Sequence, residues 1–230
     1  MIHEPPILTI RRNFVRPDRA MIERFAQANA CWIADAMDGR AAAHPAIKPV
    51  LADKAVICGP ALTCHCGVNA NLALLAAIAM AEKGDVIVAA TDGFTGAAVI
   101  GDRMAGMARN RGVAAVVTDG ATRDQAGLRQ VGLPIFAAAV NPNSCIRDAP
   151  GTVGLPVMLG GRHVAAGDLV VADEDGVTFV PRDRLAEIAD RLDEVAEAER
   201  ALAARVEAEG LDRLDLVVEL LASDRVIHLD

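Results

Sequence analysis

Asp85-Val86-Ile87-Val88-Ala89 and Val113-Ala114-Ala115-Val116-Val117 are short apolar runs bounded by Gly and Asp, and the way they are joined decides the fold. Runs this short, rich in Val and apolar throughout, read as strands buried on both faces in a parallel sheet. Between them the turn Asp92-Gly93-Phe94-Thr95-Gly96 leads to Gly101-Asp102. Arg103 to Arg111 then has helix-forming composition, with Gly112 as its stop. A strand, a crossover helix and a parallel strand wind right-handed, which lays the two strands side by side with both C-terminal ends on one edge. Ligands of open α/β sheets bind at that edge.

Working outward, residues 1–16 form a Pro- and Arg-containing lead-in, and Pro17-Asp18 opens an amphipathic helix. Its apolar positions Ile22, Ala26, Ala30, Ile33 and Met37 fall at steps of three and four, Asp35 lies near its end, and Asp38-Gly39 closes it. Ala55 to Cys66 reads as a strand, Asn71 to Glu82 as a helix, and Lys83-Gly84-Asp85 as the turn into the next strand. Gly154 to Met158, Val164, Leu169 to Val171 and Val177 to Val180 are short β segments punctuated by Gly160-Gly161 and Asp175-Gly176, which predicts hairpins flanking the parallel core. No internal repeat, low-complexity tract or linker interrupts this pattern.

From Arg182 the chain becomes helical and charged. Leu185, Ile188, Leu192, Val195, Leu202 and Val206 make an apolar stripe, and the position missing from it is Glu199. A carboxylate buried there without a partner would be costly, so it should meet a cation, a water network or another subunit, unless the helix turns it back to solvent. Further apolar residues follow at Leu211, Leu214, Leu216, Val217 and Leu220, more than one small domain can hide. The organisation expected is an α/β core over 1–181 and a C-terminal helical arm over 182–230, in one folding unit that assembles as a trimer or a hexamer made of trimers.

Composition bounds the function. At 230 residues the chain can bury one substantial core, and 53% hydrophobic residues with 3% aromatics and no tyrosine describe an α/β core of Ala, Val, Leu and Ile. A net charge of −8 and the lack of a basic face argue against nucleic-acid binding. The longest apolar stretch, Leu72 to Ala81, is too short to span a bilayer, and the N-terminus has no signal pattern. Cys31, Cys58, Cys64, Cys66 and Cys145 are odd in number and sit mostly in apolar settings, which predicts reduced thiols and a cytoplasmic protein. Cys64-His65-Cys66 invites a metal reading. On a strand, however, the two thiols share a face that His65 does not, and no second Cys pair completes a zinc site, so packing is the expectation.

The chemistry concentrates where Gly101-Asp102 opens its helix and where, twenty residues on, Arg123-Asp124 follows the strand-like run in the loop Thr118-Asp119-Gly120-Ala121-Thr122-Arg123-Asp124. A helix N-terminus offers free amides and a positive dipole end to a carboxylate or phosphate. Arg123 can grip the same anion through its planar fork, and Asp124 is a hard oxygen ligand of the kind Mg²⁺ or Mn²⁺ accepts. An anion plus a metal suggests a substrate that chelates. The bland alternative is an Asp102 N-cap and a surface Arg-Asp pair in a turn.

The run Gly101-Asp102-Arg103-Met104, then Gly112 to Asp124, resembles the RraA-like family, which includes the 4-hydroxy-4-methyl-2-oxoglutarate/4-carboxy-4-hydroxy-2-oxoadipate aldolases and carries the pattern Asp, twenty residues, Arg-Asp. The similarity covers about residues 20 to 210, including Asn71-Leu72, Pro134-Ile135-Phe136 and Gly167-Asp168 through Asp173-Glu174-Asp175-Gly176-Val177. Three departures stand out: Asn69-Ala70 and Leu75 replace a common Gly-Asp and a histidine, Gly127 replaces an acid frequent in the regulator branch, and Arg103 replaces a commonly apolar residue. The resemblance implies the three-layer β/β/α swivelling-domain fold. It also implies that Asp35 lies near the active site and that Glu199 reaches the site of a neighbouring subunit.

Taken with the residues, it implies a class II aldolase that cleaves a 4-hydroxy-2-oxo di- or tricarboxylic acid to pyruvate and a second oxo compound, with oxaloacetate decarboxylation as a side activity. Asp124 would hold Mg²⁺ or Mn²⁺, and Arg123 would stabilise the enolate. Gly101, Asp102, Arg103 and Met104 would bind the pyruvyl carboxylate, and Asp102 with Glu199 would orient the proton-carrying water. Lys48, Lys54 and Lys83, the only lysines, occupy turn-like, polar or pre-proline settings unsuited to a Schiff base. The rivals are an RraA-type regulator of a ribonuclease and a related lyase or decarboxylase acting on sugar-derived 2-oxo acids.

Overall fold

A computed structural model describes residues 6–51 and 56–229; residues 1–5 of the lead-in, Lys54 and the expected strand start at Ala55 lie outside the described residues. The two apolar runs are adjacent parallel strands, Val86–Ala90 and Ala115–Thr118, with Val86 opposite Ala115. Each begins later than its apolar run because Asp85 and Val113 belong to turns, Asp85 N–H donating to Glu82 O and Val113 N–H to Ala108 O. Ile57–His65 lies parallel to Val86–Ala90 on one side, and Ile135–Ala137 parallel to Ala115–Thr118 on the other. Antiparallel Gly151–Val153 and Lys48–Pro49 flank this core, and Leu169–Asp173 pairs with both Ile57–His65 and Gly176–Val180 in a nine-stranded sheet.

Because side chains alternate across a strand, the sheet sorts its apolar residues into two cores. Leu62, Cys64, Ile87, Ala89, Val116 and Ile135 face the helices Leu72–Met80, Asp102–Asn110 and Gln125–Val131, meeting Leu74, Ile78, Met104, Ala108 and Leu128. Ala61, Val86, Val88, Ala115, Val117 and Phe136 face the other way, against Val157, Leu159 and Val164 of one hairpin and Val170, Val177 and Phe179 of another. The result is the three-layer β/β/α arrangement.

The cysteines pack. Cys64 and Cys66 are buried in the helix-side core, while His65 points outward to Asp92, Nε2 to Oδ1 at 2.9 Å. All five thiols are free. Burial pushes Cys58 up to about 12, and a hydrogen bond with Cys66 together with burial raises Cys64, so these groups are neutral packing side chains.

The N-terminal amphipathic stretch is two helices rather than one, Arg19–Phe25 and Ala30–Ala36. Asp18 caps the first through Met21 N–H, but Asn29 caps a second through Trp32 N–H at 2.8 Å, and the Ala30 amide is taken by Asp173 Oδ2 at 2.7 Å. A capping residue inside a periodic stripe ended the first helix without ending the stripe.

The lead-in is locked by a pair that spans 69 residues. Arg16 Nε and Nη2 donate to the two oxygens of Asp85 at 2.8 and 2.9 Å, and the Asp85 side chain is 1% exposed. Asp85 also accepts from Glu82 N–H. Removing one member of such a pair leaves a buried charge uncompensated, so Arg16→Ala should lower stability by about 3 kcal/mol. Urea unfolding would register this as a reduced midpoint at unchanged slope.

The chain divides into two compact units, residues 1–192 and 193–230. The first takes in the opening turns of the long Leu185–Ala208 helix, where Leu185, Ile188, Ala189 and Leu192 are buried. In the second, Ala196 is the one buried residue among those described, and Glu199 is exposed. The short helix Asp215–Leu221 presents Leu216, Val218 and Leu221 at 63, 46 and 50% exposure. Among the described residues no helix is long and apolar enough to cross a membrane.

Candidate active site

A small parallel sheet, Ala98–Ile100, Ala121–Thr122 and Ala139–Val140, hangs on the connections that leave the carboxyl ends of the central strands. Buried Asp119 ties those ends together, accepting from Thr91 N–H at 2.7 Å, Thr91 Oγ1 at 3.0 Å and Gly93 N–H at 3.0 Å. Fully buried Thr122 donates through Oγ1 to Ile100 O at 3.1 Å, and Arg123 N–H donates to the same carbonyl at 3.1 Å. Arg123 is thereby fixed beside Gly101. The segment expected to be plain loop therefore contains a strand, and a second strand precedes Gly101.

Gly101 is the N-cap and Asp102 the first residue of the Asp102–Asn110 helix, so the Asp102 carboxylate is not the cap. Ala105 N–H is the first to close a turn, onto Gly101 O, which leaves the amides of Asp102, Arg103 and Met104 without helical acceptors. Asp124 stands in the left-handed region at φ 62°, uncommon for a residue with a side chain, immediately before the helix Gln125–Val131.

Two glycines let these loops interlock. A Cβ on Gly101 would lie 2.5 Å from Asp124 Oδ2 and 3.2 Å from Arg123 Cγ, and one on Gly127 would lie 2.4 Å from Asp102 Oδ2. Gly127, a departure from the family pattern, is thus the space into which Asp102 fits. Arg123 Nε stands 3.4 Å from Asp124 Oδ2, Arg123 Nη1 donates to Ser144 Oγ, and Arg103 Nε stands 3.8 Å from Asp102 Oδ1.

These groups surround one cavity of about 160 Å³, lined by residues 98–104, Arg123 and Asp124 together with Asn71, Ser144, Cys145 and Arg147. Gly101, Asp102, Arg103, Met104, Arg123 and Asp124 are therefore brought together as expected from sequence. Asp35 is not: it is exposed in the last turn of the Ala30–Ala36 helix, whose neighbours are the Leu169–Asp173 and Gly176–Val180 strands. Glu199 belongs to the second unit. Leu75 packs into the helix-side core and does not stand in for a cavity histidine, and Arg103 is 92% exposed.

Sequence reading missed Ser144, Cys145 and Arg147. They reach the cavity because Ala98 N–H donates to Asn143 O and Ile146 N–H to Asn69 O, both at 2.9 Å, pairings that no local pattern announces.

Comparison with known proteins identifies the lineage of this arrangement. The family model for RraA-like proteins, described as Aldolase/RraA, matches residues 30–179. The chain belongs to the RraA-like family. A relative in Halalkalibacterium halodurans, provisionally named a 4-hydroxy-4-methyl-2-oxoglutarate aldolase, is 36% identical over 161 residues, covering 70% of this chain and 76% of its own length. Two solved structures share the RraA-like fold. One is an uncharacterized Pseudomonas syringae protein, with TM-score 0.75 and 24% identity over 85% of this chain and 92% of its own. The other is a Streptomyces coelicolor member of the RNase ES inhibitor RraA family, with TM-score 0.74 and 24% identity over 84% of this chain and all of its own.

Among the described residues no three His, Cys, Asp or Glu side chains gather to cage a metal ion. What the cavity offers is Asp124, 43% exposed and only loosely paired with Arg123, and Asp102, which lines the same cavity. That donor set fits a hard divalent cation that keeps most of its waters and binds through one or two carboxylates.

Proposed function

We propose that this RraA-like protein is a divalent-metal-dependent aldolase that cleaves a 4-hydroxy-2-oxo di- or tricarboxylic acid to pyruvate and a second oxo compound. The observation that carries this reading is the convergence on one cavity of a guanidinium, a half-exposed carboxylate loosely paired with it and a helix N-terminus: Arg123, Asp124 and the Asp102 to Met104 amides. The name of the Halalkalibacterium relative supports it.

Mg²⁺ or Mn²⁺, held through Asp124, supplies a Lewis acid for the 2-oxo acid group. The amides of Arg103 and Met104 hold the pyruvyl carboxylate against the positive end of the helix. As the C3–C4 bond breaks, its electron pair moves into the C2–C3 linkage and charge gathers on the C2 oxygen. Arg123 donates to that oxygen where charge develops. Asp102 orients the water that takes the C4 hydroxyl proton and later returns a proton to C3, giving pyruvate. Glu199 from an adjacent subunit is the second carboxylate of this relay. Oxaloacetate would lose CO₂ through the same enolate.

Neither of the two lysines among the described residues suits a Schiff-base route. Lys48 donates to Asp175 O, Lys83 is exposed in a turn, and neither lines the cavity.

The test is pyruvate release from a panel of 4-hydroxy-2-oxo acids. EDTA should remove it and added Mg²⁺ or Mn²⁺ restore it; full turnover after exhaustive chelation excludes the metal mechanism. No release under any condition, with tight binding to a ribonuclease, would favour the regulator reading instead.

A smaller change probes the interlocked loops. Gly127→Ala drives a methyl into Asp102, so it should cost about 1–3 kcal/mol of stability and displace the proton relay. Turnover should fall at least tenfold in protein that urea unfolding shows to be still folded.

A further inference from the structure

Two features of the cavity remain once Arg123, Asp124 and the helix amides have their tasks. The first is Asn71. It is 6% exposed, and its Nδ2 donates to Val99 O at 3.3 Å and lies 3.7 Å from Met104 Sδ. Its Oδ1 is buried without a partner. The contact with Val99 O fixes which way the amide points, because the flipped side chain would set two oxygens against each other. A buried acceptor without a donor is costly, which marks Asn71 as a strained polar group in the lining of the cavity.

The second is Arg147. It lines the same cavity, it is exposed, and among the described residues its guanidinium makes no hydrogen bond or ion pair. Arg103 and Arg123 each stand beside an acid of their own. The backbone next to Arg147 is anchored to the Asn71 wall, Ile146 N–H donating to Asn69 O at 2.9 Å and Asn71 N–H to Ile146 O at 3.1 Å. The cavity is therefore lined by an unpaired cation in addition to the helix terminus that takes the pyruvyl end, and Asn71 lines it as well.

Building on the aldolase reading, we propose that Arg147 determines substrate specificity by binding a second carboxylate, on the half of the substrate that departs as the other carbonyl product. A planar fork suits a carboxylate in a way that a point charge does not.

The test pairs 4-hydroxy-2-oxoglutarate with 4-hydroxy-2-oxopentanoate, which differ in whether the far end is a carboxylate or a methyl. The wild-type protein should prefer the dicarboxylate in kcat/KM. Arg147→Ala should cut that preference at least tenfold, mainly through KM, and Arg147→Lys should recover part of it. A preference that survives Arg147→Ala, or a loss shared equally by both substrates, overturns the proposal. Calorimetry with Mg²⁺ and the unreactive pair 2-oxoglutarate and 2-oxopentanoate separates this from the aldolase reading. If the wild-type protein releases no pyruvate from either substrate, the aldolase reading falls. Tighter binding of 2-oxoglutarate that disappears in Arg147→Ala then still upholds Arg147, and equal binding overturns it.

Discussion

Arg123→Ala should reduce pyruvate release by at least about a hundredfold, and Arg123→Lys should recover little of it. Among the described residues the guanidinium pairs with two cavity groups, Ser144 and Asp124, while the backbone amide that fixes the residue to Ile100 O survives any substitution but proline. The loss should therefore appear in turnover and not in the unfolding midpoint. Lysine would restore charge without the paired donors that meet a carboxylate and a developing oxyanion together. Asp124→Asn is the sharper companion to this change, because asparagine tolerates the left-handed backbone at φ 62° and preserves shape while removing the charge that would hold the metal. Wild-type turnover of both variants at saturating Mg²⁺ would mean that the cavity is not the site.

The second large effect concerns assembly. Beyond Leu192 only Ala196 is buried among the described residues, and the Asp215–Leu221 helix leaves most of its apolar side chains exposed. Apolar surface on this scale is ordinarily covered by a second copy of the chain. On that reading Glu199→Ala should lower turnover strongly, and mixing it with Asp124→Asn subunits should bring part of the activity back. In an equimolar random mixture about one interface in four would pair an intact glutamate with an intact metal site. Native mass spectrometry would verify subunit exchange. No rescue despite proven exchange, or a fully active monomer, would leave Glu199 without a part in catalysis.

The layers of the fold were legible because strands buried on both faces announce themselves as short runs that are apolar throughout, as at Val86 to Ala89, whose side chains the structure divides between the two cores. Gly101-Asp102 and Arg123-Asp124 were legible because the family pattern of Asp, twenty residues, Arg-Asp singled them out from an ordinary N-cap and a surface turn pair, and the structure brings them to one cavity. The strands Ala98–Ile100, Ala121–Thr122 and Ala139–Val140 were not, since two or three residues carry no period, and with them went Ser144 and Arg147. Arg16 and Asp85 were invisible for a related reason: nothing local couples residues 69 apart. Asp35 was named through the resemblance and not through its own surroundings, and the structure leaves it outside the cavity. The helix break at Asn29 shows the converse, a local capping preference that overrode a well-formed stripe.

Formation of the pyruvate enolate is the step on which the whole account depends, and it can be observed without knowing the other half of the substrate. Proton NMR of pyruvate in D₂O with the protein and Mg²⁺ should show the methyl signal decaying as C3 protons exchange. The decay should stop on addition of EDTA and be absent with Arg123→Ala or Asp124→Asn. Retention of the methyl signal in the presence of folded wild-type protein and saturating Mg²⁺ or Mn²⁺ would contradict the account, as would exchange that persists undiminished in both variants.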